Sequence, residues 1–143
     1  MRILKAFTII LFLTIVNFAN AQQILPFHLT EYNNILLKSV VNNKDSLYLM
    51  YQIAMQDAAI SPQRTRSAEN VNFNSLNTVR IDASEFKYIP FSDNELAGYY
   101  ADGKIGNGLF KGKAFKIDYD NNRFEIYDQQ PDVSAYEPID LIE

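Results

Sequence analysis

The sequence predicts an all-β domain, and three observations carry that prediction. Short runs rich in β-branched and aromatic residues recur about every ten residues, separated by Asn, Asp, Gly and Pro. No long helical period runs through the chain after its first 21 residues. The third observation is the stretch 102–128, where four of the five glycines fall within eleven residues and lead into alternating apolar and polar positions. A sandwich and a barrel both satisfy these patterns.

Residues 1–21 read as a signal peptide. Arg2 and Lys5 precede an apolar run of 13 residues, 6–18, followed by Ala19-Asn20-Ala21, whose small residues suit signal peptidase. Cleavage is expected before Gln22, which makes the product secreted or periplasmic. A run of 13 falls short of the roughly 20 residues that span a bilayer, so no membrane span is expected after cleavage. Without cysteine, neither a disulfide framework nor a lipid-bearing amino-terminal cysteine can form.

The mature chain of 122 residues is one domain of ordinary size, with 11 basic against 17 acidic residues and a net charge of −6. A basic stripe for nucleic acid is absent, and the dispersed acidity reads as a solubilising surface. The domain is placed at 22–128, with 129–143 as a tail whose apolar run, 139–142, could add an edge or interface strand.

Residues 24–29 form a first strand, its Pro26 suited to a start or an edge. Residues 33–41 and 46–51 form a hairpin around Asn42-Asn43-Lys44-Asp45, with either Asn42-Asn43 or Asn43-Lys44 as the central pair. Propensity alone allows a helical turn over 54–59, against the surrounding β pattern. Residues 61–77 read as a polar loop, 78–81 and 86–91 as short strands, and 92–98 as loop. A last hairpin turns at Asn121-Asn122, with Tyr119 opposite Phe124 and Ile117 opposite Ile126. That register sets Asp118 against Glu125, a like-charge pair expected in water and screened by Lys116 and Arg123.

Several residue sets invite chemistry and read more simply otherwise. Asp118, Asp120 and Asn122 alternate like the first ligands of a calcium loop, but the glycine and the spacing to a bidentate glutamate are wrong, so they read as hairpin solvation and no metal is expected. His28 is the sole histidine, and nothing places a serine beside it. Tyr88, Tyr99 and Tyr100 form either an aromatic binding surface or rim packing. No cofactor is called for.

Two segments together resemble the retropepsin-like aspartic proteases, the single-lobe relatives of the pepsin fold. Residues 40–51 are similar to the hairpin that leads into that family's catalytic turn. Asp102-Gly103-Lys104-Ile105-Gly106, then Leu109-Phe110, then 115–119, are similar to its second half, although Lys104 departs from the usual apolar pair. The resemblance spans about 24–128. It implies a closed barrel with one short helix, a homodimer or a longer-chain partner meeting it through terminal strands, and a peptide ligand.

The family's catalytic turn reads Asp-Thr-Gly-Ala-Ser or close to it. Aligned without a gap, it falls on Gln52-Ile53-Ala54-Met55-Gln56, so the aspartate is Gln52, the hydroxyl residue Ile53 and the glycine Ala54. Such proteases hold two carboxylates together so that one is a base for water and the other an acid. Glutamine cannot take a proton from water at neutral pH, and general-base catalysis is worth about 10²–10⁴-fold. The site therefore reads as degenerate. Asp57 is the outside candidate for a catalytic acid, and a turn-capping aspartate is the ordinary explanation. The alternative function is an aspartic-type endopeptidase using Asp57 or an aspartate supplied by a partner. The family's glycine-tipped flap is expected near 63–78, yet the chain has no glycine before Gly98, so that flap reads as absent or replaced.

Overall fold

The computed structural model describes residues 23–138. Ten strands run in the order β1 (Gln23–Pro26), β2 (His28–Leu29), β3 (Ile35–Val41), β4 (Asp45–Tyr51), β5 (Ala58–Ile60), β6 (Leu76–Ile81), β7 (Ser84–Ser92), β8 (Gly103–Ile105), β9 (Ala114–Asp118) and β10 (Arg123–Tyr127). A 3₁₀ turn, Asn107–Phe110, lies between β8 and β9. The all-β prediction holds, as does the short helix.

Six strands close on themselves in the order β3-β4-β8-β5-β7-β6, and β6 returns to β3 through Ser39↔Ile81, Val40↔Arg80 and Val41↔Val79. Closure leaves no free edge within the ring. Alternation along each strand fills its interior. On β4, Asp45, Leu47, Leu49 and Tyr51 turn inward while Ser46, Tyr48 and Met50 turn out. Leu37, Val41, Ile60, Val79, Ile81, Phe91 and Ile105 complete that core, each almost wholly buried. A second, three-stranded sheet, β1-β10-β9, covers one end of the barrel with an aromatic cluster in which Phe124 packs on Phe27, Tyr51, Phe110 and Phe115.

Several local expectations are corrected. The first strand breaks at Phe27, whose N–H bonds Asn122 O, so β1 joins β10 and β2 joins β3. The hairpin between β3 and β4 takes neither two-residue centre. Val41 pairs with Asp45 across a three-residue loop in which Asn42 (φ 50°) and Asn43 (φ 59°) both take the left-handed conformation that asparagine tolerates. The last hairpin is shifted by two residues: Asp118 faces Arg123, Ile117 faces Phe124, Lys116 faces Glu125 and Phe115 faces Ile126. Asp118 and Glu125 are thus not opposed, and both are largely buried rather than in water. Arg123 lies 3.4 Å from Asp118 and 2.5 Å from Glu125, so opposite charges replace the like-charge pair, while the expected apolar pairs give way to Ile117 with Phe124 and Phe115 with Ile126, and Tyr119 moves into the loop.

The permitted helical turn over 54–59 does not form. Residues 52–57 are a turn, and Ala58, Ala59 and Ile60 are buried in β5 between β7 and β8, where barrel packing overrides local preference. The tail carries no strand among its described residues, 129–138, and the candidate strand at 139–142 lies outside them, as does the signal-peptide assignment to 1–21. No helix among the described residues is long and apolar enough to cross a membrane.

Candidate functional site

The barrel places β8 between β4, to which it runs parallel, and β5, to which it runs antiparallel. The chain leaves β4, turns through 52–57 and returns on β5, so β8 passes beneath the turn. Backbone bonds hold the turn there. Gln52 N–H donates to Ile105 O (2.9 Å), Gly106 N–H to Asp57 O (2.9 Å), Asn107 N–H to Met55 O (2.8 Å) and Gly108 N–H to Gln56 O (2.7 Å).

Two of the glycines have a specific use here. A Cβ at Gly106 would stand 2.3 Å from Met55 O, and one at Gly108 would stand 2.4 Å from Gln56 O. Only a bare backbone lets the 3₁₀ turn approach this closely. Asn107, between them, braces the turn from beneath. Its Nδ2 donates to Ile53 O (2.5 Å), and its Oδ1 accepts the Tyr51 hydroxyl. Burial, helped by the nearby Tyr119, pushes the Tyr51 phenol up to about 12, so it remains a protonated donor at neutral pH. The sequence alone did not single out Asn107, because a polar residue after a glycine gives no sign that it reaches across to another turn.

Gln52, Ile53 and Ala54 occupy the start of this turn. Gln52 is half-buried, while Ile53 is 63% exposed and Ala54 is also exposed. Asp57 closes the turn with its side chain exposed and its carbonyl in the Gly106 bond. It is the only carboxylate on the turn. What the arrangement offers chemically is an amide, an exposed alkyl group and a shallow hollow of about 170 Å³ whose walls include Gln52, Ile53, Ile117 and Tyr119.

Where a flap was expected, residues 61–75 carry no strand and lie as a strap fixed to the barrel. Two buried carboxylates fasten it. Asp102 accepts from the N–H groups of Thr65 and Arg66 (3.2 Å each), from Arg66 Nη1 (3.0 Å) and from the Tyr48 N–H on β4 (2.9 Å). Asp45 accepts from the Asn70 N–H (2.6 Å) and from Asn70 Nδ2 (2.8 Å). Ala68, between these anchors, and Val71, just past the second, plug into the core. In the sequence this stretch shows only polarity, since a buried aspartate is written like an exposed one.

The other singled-out residues lie apart from the turn. His28 is exposed on β2. Asp118 accepts from Asn121 N–H and Nδ2, and chiefly that side-chain bond holds its carboxyl below the usual range. Glu125 accepts from Tyr127 and Arg123, with Tyr127 the larger cause of its lowered value. These oxygens are used within the hairpin.

A closed six-stranded barrel with a strand threaded between the two arms of a turn is the retropepsin-like aspartic-protease fold. A solved retropepsin-like aspartic protease from Rickettsia conorii superposes on it with a TM-score of 0.52 and 20% identity, over 75% of this chain and 90% of that one. No protein-family model and no curated protein matches the chain. The likeness defines the fold.

Proposed function

We propose that this chain is a secreted or periplasmic, non-catalytic retropepsin-like domain that binds a peptide or protein segment on the face of the 52–57 turn without cutting it. One observation carries the reading. The turn is clamped in place by β8 and the 3₁₀ turn, yet Gln52-Ile53-Ala54 stands where the chemistry needs a carboxylate, a hydroxyl and a glycine. The strap supports it, because a segment tied down by Asp45 and Asp102 does not open and close over a substrate. The basic-apolar-small pattern of residues 2–21 supports export.

A second copy is proposed as a partner of the same face, where Ile53 and Tyr119 are 63% and 53% exposed. Light scattering across micromolar concentrations should detect a dimer, and a monomer throughout would oppose it.

The test is an array of immobilised peptides incubated with the purified protein, with bound peptides recovered and weighed by mass spectrometry. Intact peptides that shift the NMR signals of Gln52, Ile53 and Tyr119 are expected. Recovery of cut peptides, or no binding at any concentration, would overturn the reading. Export is checked by fractionation and amino-terminal sequencing, with Gln22 as the expected first residue.

A further inference from the structure

On another part of the surface, two adjoining clefts of about 490 and 470 Å³ share Thr65 and Tyr100 as a common wall. Each has the volume of an ordinary ligand pocket. One runs between the strap and the loop 97–101, and the other continues past Tyr48 and Arg66 to His28. No residue of the 52–57 turn lines either one.

Three features set this region apart from a passive groove. Tyr100 holds a left-handed backbone (φ 68°) while 65% of it is exposed. A bulky residue rarely sits there, and such strain concentrates where a side chain must be aimed. Its hydroxyl is steadied by Glu31 (3.2 Å).

The second feature is Arg66. Its guanidinium lies 4.5 Å over the Tyr48 ring, and its Nη1 is held by the buried Asp102, so the group is fixed before any ligand arrives. Only Nη1 is hydrogen-bonded among the described residues, and the side chain is 42% exposed, leaving the rest of the fork to face the cleft.

The third is charge. Acidic residues outnumber basic ones in the chain, 17 to 13, yet among the described residues no carboxylate lines either cleft, while the Arg66 guanidinium does; the neighbouring Glu31 and Asp102 are engaged by Tyr100 and Arg66. Exposed tyrosines flank them, with Tyr99 at one rim and Tyr32 packed beside it at 6.1 Å.

We propose that these clefts form a second binding site, distinct from the face of the turn, for an extended peptide segment bearing an acidic side chain next to an aromatic one. The carboxylate takes the free side of the Arg66 fork, and the aromatic neighbour packs on Tyr100. The site does not depend on whether the 52–57 turn is catalytically inert.

The experiment is an NMR titration of the ¹⁵N-labelled protein with two capped peptides, Ac-Gly-Tyr-Glu-Tyr-Gly-NH₂ and the same peptide with Gln for Glu. The glutamate peptide is expected to move the Thr65, Arg66 and Tyr100 amide signals, and to bind at least about tenfold more tightly than the glutamine peptide, as the loss of one charge-assisted bond implies. Arg66→Gln should abolish that preference. Because that change disturbs Asp102, Tyr100→Gly serves as the second variant. It relieves the backbone strain, so its melting temperature should not fall, while affinity drops. Equal binding of the two peptides, shifts confined to residues 52–57, or no shift at millimolar peptide would overturn the proposal. So would a neutral oligosaccharide that moves the same amides when the glutamate peptide does not.

Discussion

Replacing Gly106 by alanine should be among the most damaging single methyl additions in this protein. The new Cβ would lie 2.3 Å from Met55 O, 2.4 Å from Met55 C and 2.8 Å from Met55 Cβ, and two of these contacts are with backbone that cannot rotate away. Relief requires the 3₁₀ turn to retreat from the 52–57 turn by about 1 Å, which takes the bonds from Gly106 and Asn107, now 2.9 and 2.8 Å, beyond useful length. Overpacking costs about 1–3 kcal/mol and two lost backbone bonds about 1 kcal/mol each, so about 3–5 kcal/mol is expected. For a domain of this size that lowers the melting temperature by roughly 10–20 °C. Gly112→Ala is the control. Its Cβ meets nothing within 4 Å, and only its φ of +73° penalises the change, at about 1–2 kcal/mol. Thermal melts followed by circular dichroism compare the two. If the Gly106 variant melts no lower than the Gly112 variant, the turn is not clamped as described.

Other perturbations probe the strap, the brace and the ionised hairpin. Asp102→Asn aims an amide NH₂ at groups that are themselves donors, Tyr48 N–H, Thr65 N–H, Arg66 N–H and the guanidinium. It should cost about 3 kcal/mol or more and speed hydrogen exchange across 61–75 without affecting β9. Asn107→Ala strands Ile53 O and the Tyr51 hydroxyl, and denaturant melts should show a loss of about 1–3 kcal/mol. Asp118 and Glu125 have carboxyls held below their ordinary values of 3.8 and 4.5, so their contribution is full above about pH 4.5. It is lost as pH falls through the lowered values, and urea midpoints should drop as pH falls below 4.5, less steeply in Glu125→Gln. Tyr51 works in the other direction: stability is complete below pH 10, declines as pH rises towards about 12, and declines less in Tyr51→Phe.

Strands β3, β4, β6 and β7 were legible because each alternates or is bounded by turn residues, and the two segments at 40–51 and 102–119 sit in the order the fold requires, whereas β5 and β8, three residues each, are too short to show a period. Registers were not. Both hairpin loops came out longer than a two-residue reading, since Asn42 and Asn43 each take a left-handed conformation and Asp118 prefers Arg123 to the cross-strand neighbour first assigned. The turn itself could be located by alignment to Gln52, but its support could not. Asn107 and Asp102 act across 54 residues of sequence on Ile53 and Tyr48, a separation invisible to any local pattern. The strap shows the same limit, for polarity marked it as a loop while Asp45 and Asp102 make it part of the framework.

The central proposal is that this barrel, retropepsin-like in fold, cuts no peptide. Its most direct measurement is cleavage of a quenched-fluorescence peptide library by the purified protein from pH 3 to 8, with circular dichroism at each pH to confirm folding and Asp57→Asn run in parallel. The account predicts fluorescence at background for both proteins at every pH where the barrel is folded. Pepstatin-sensitive cleavage by the parent that disappears in Asp57→Asn would contradict it.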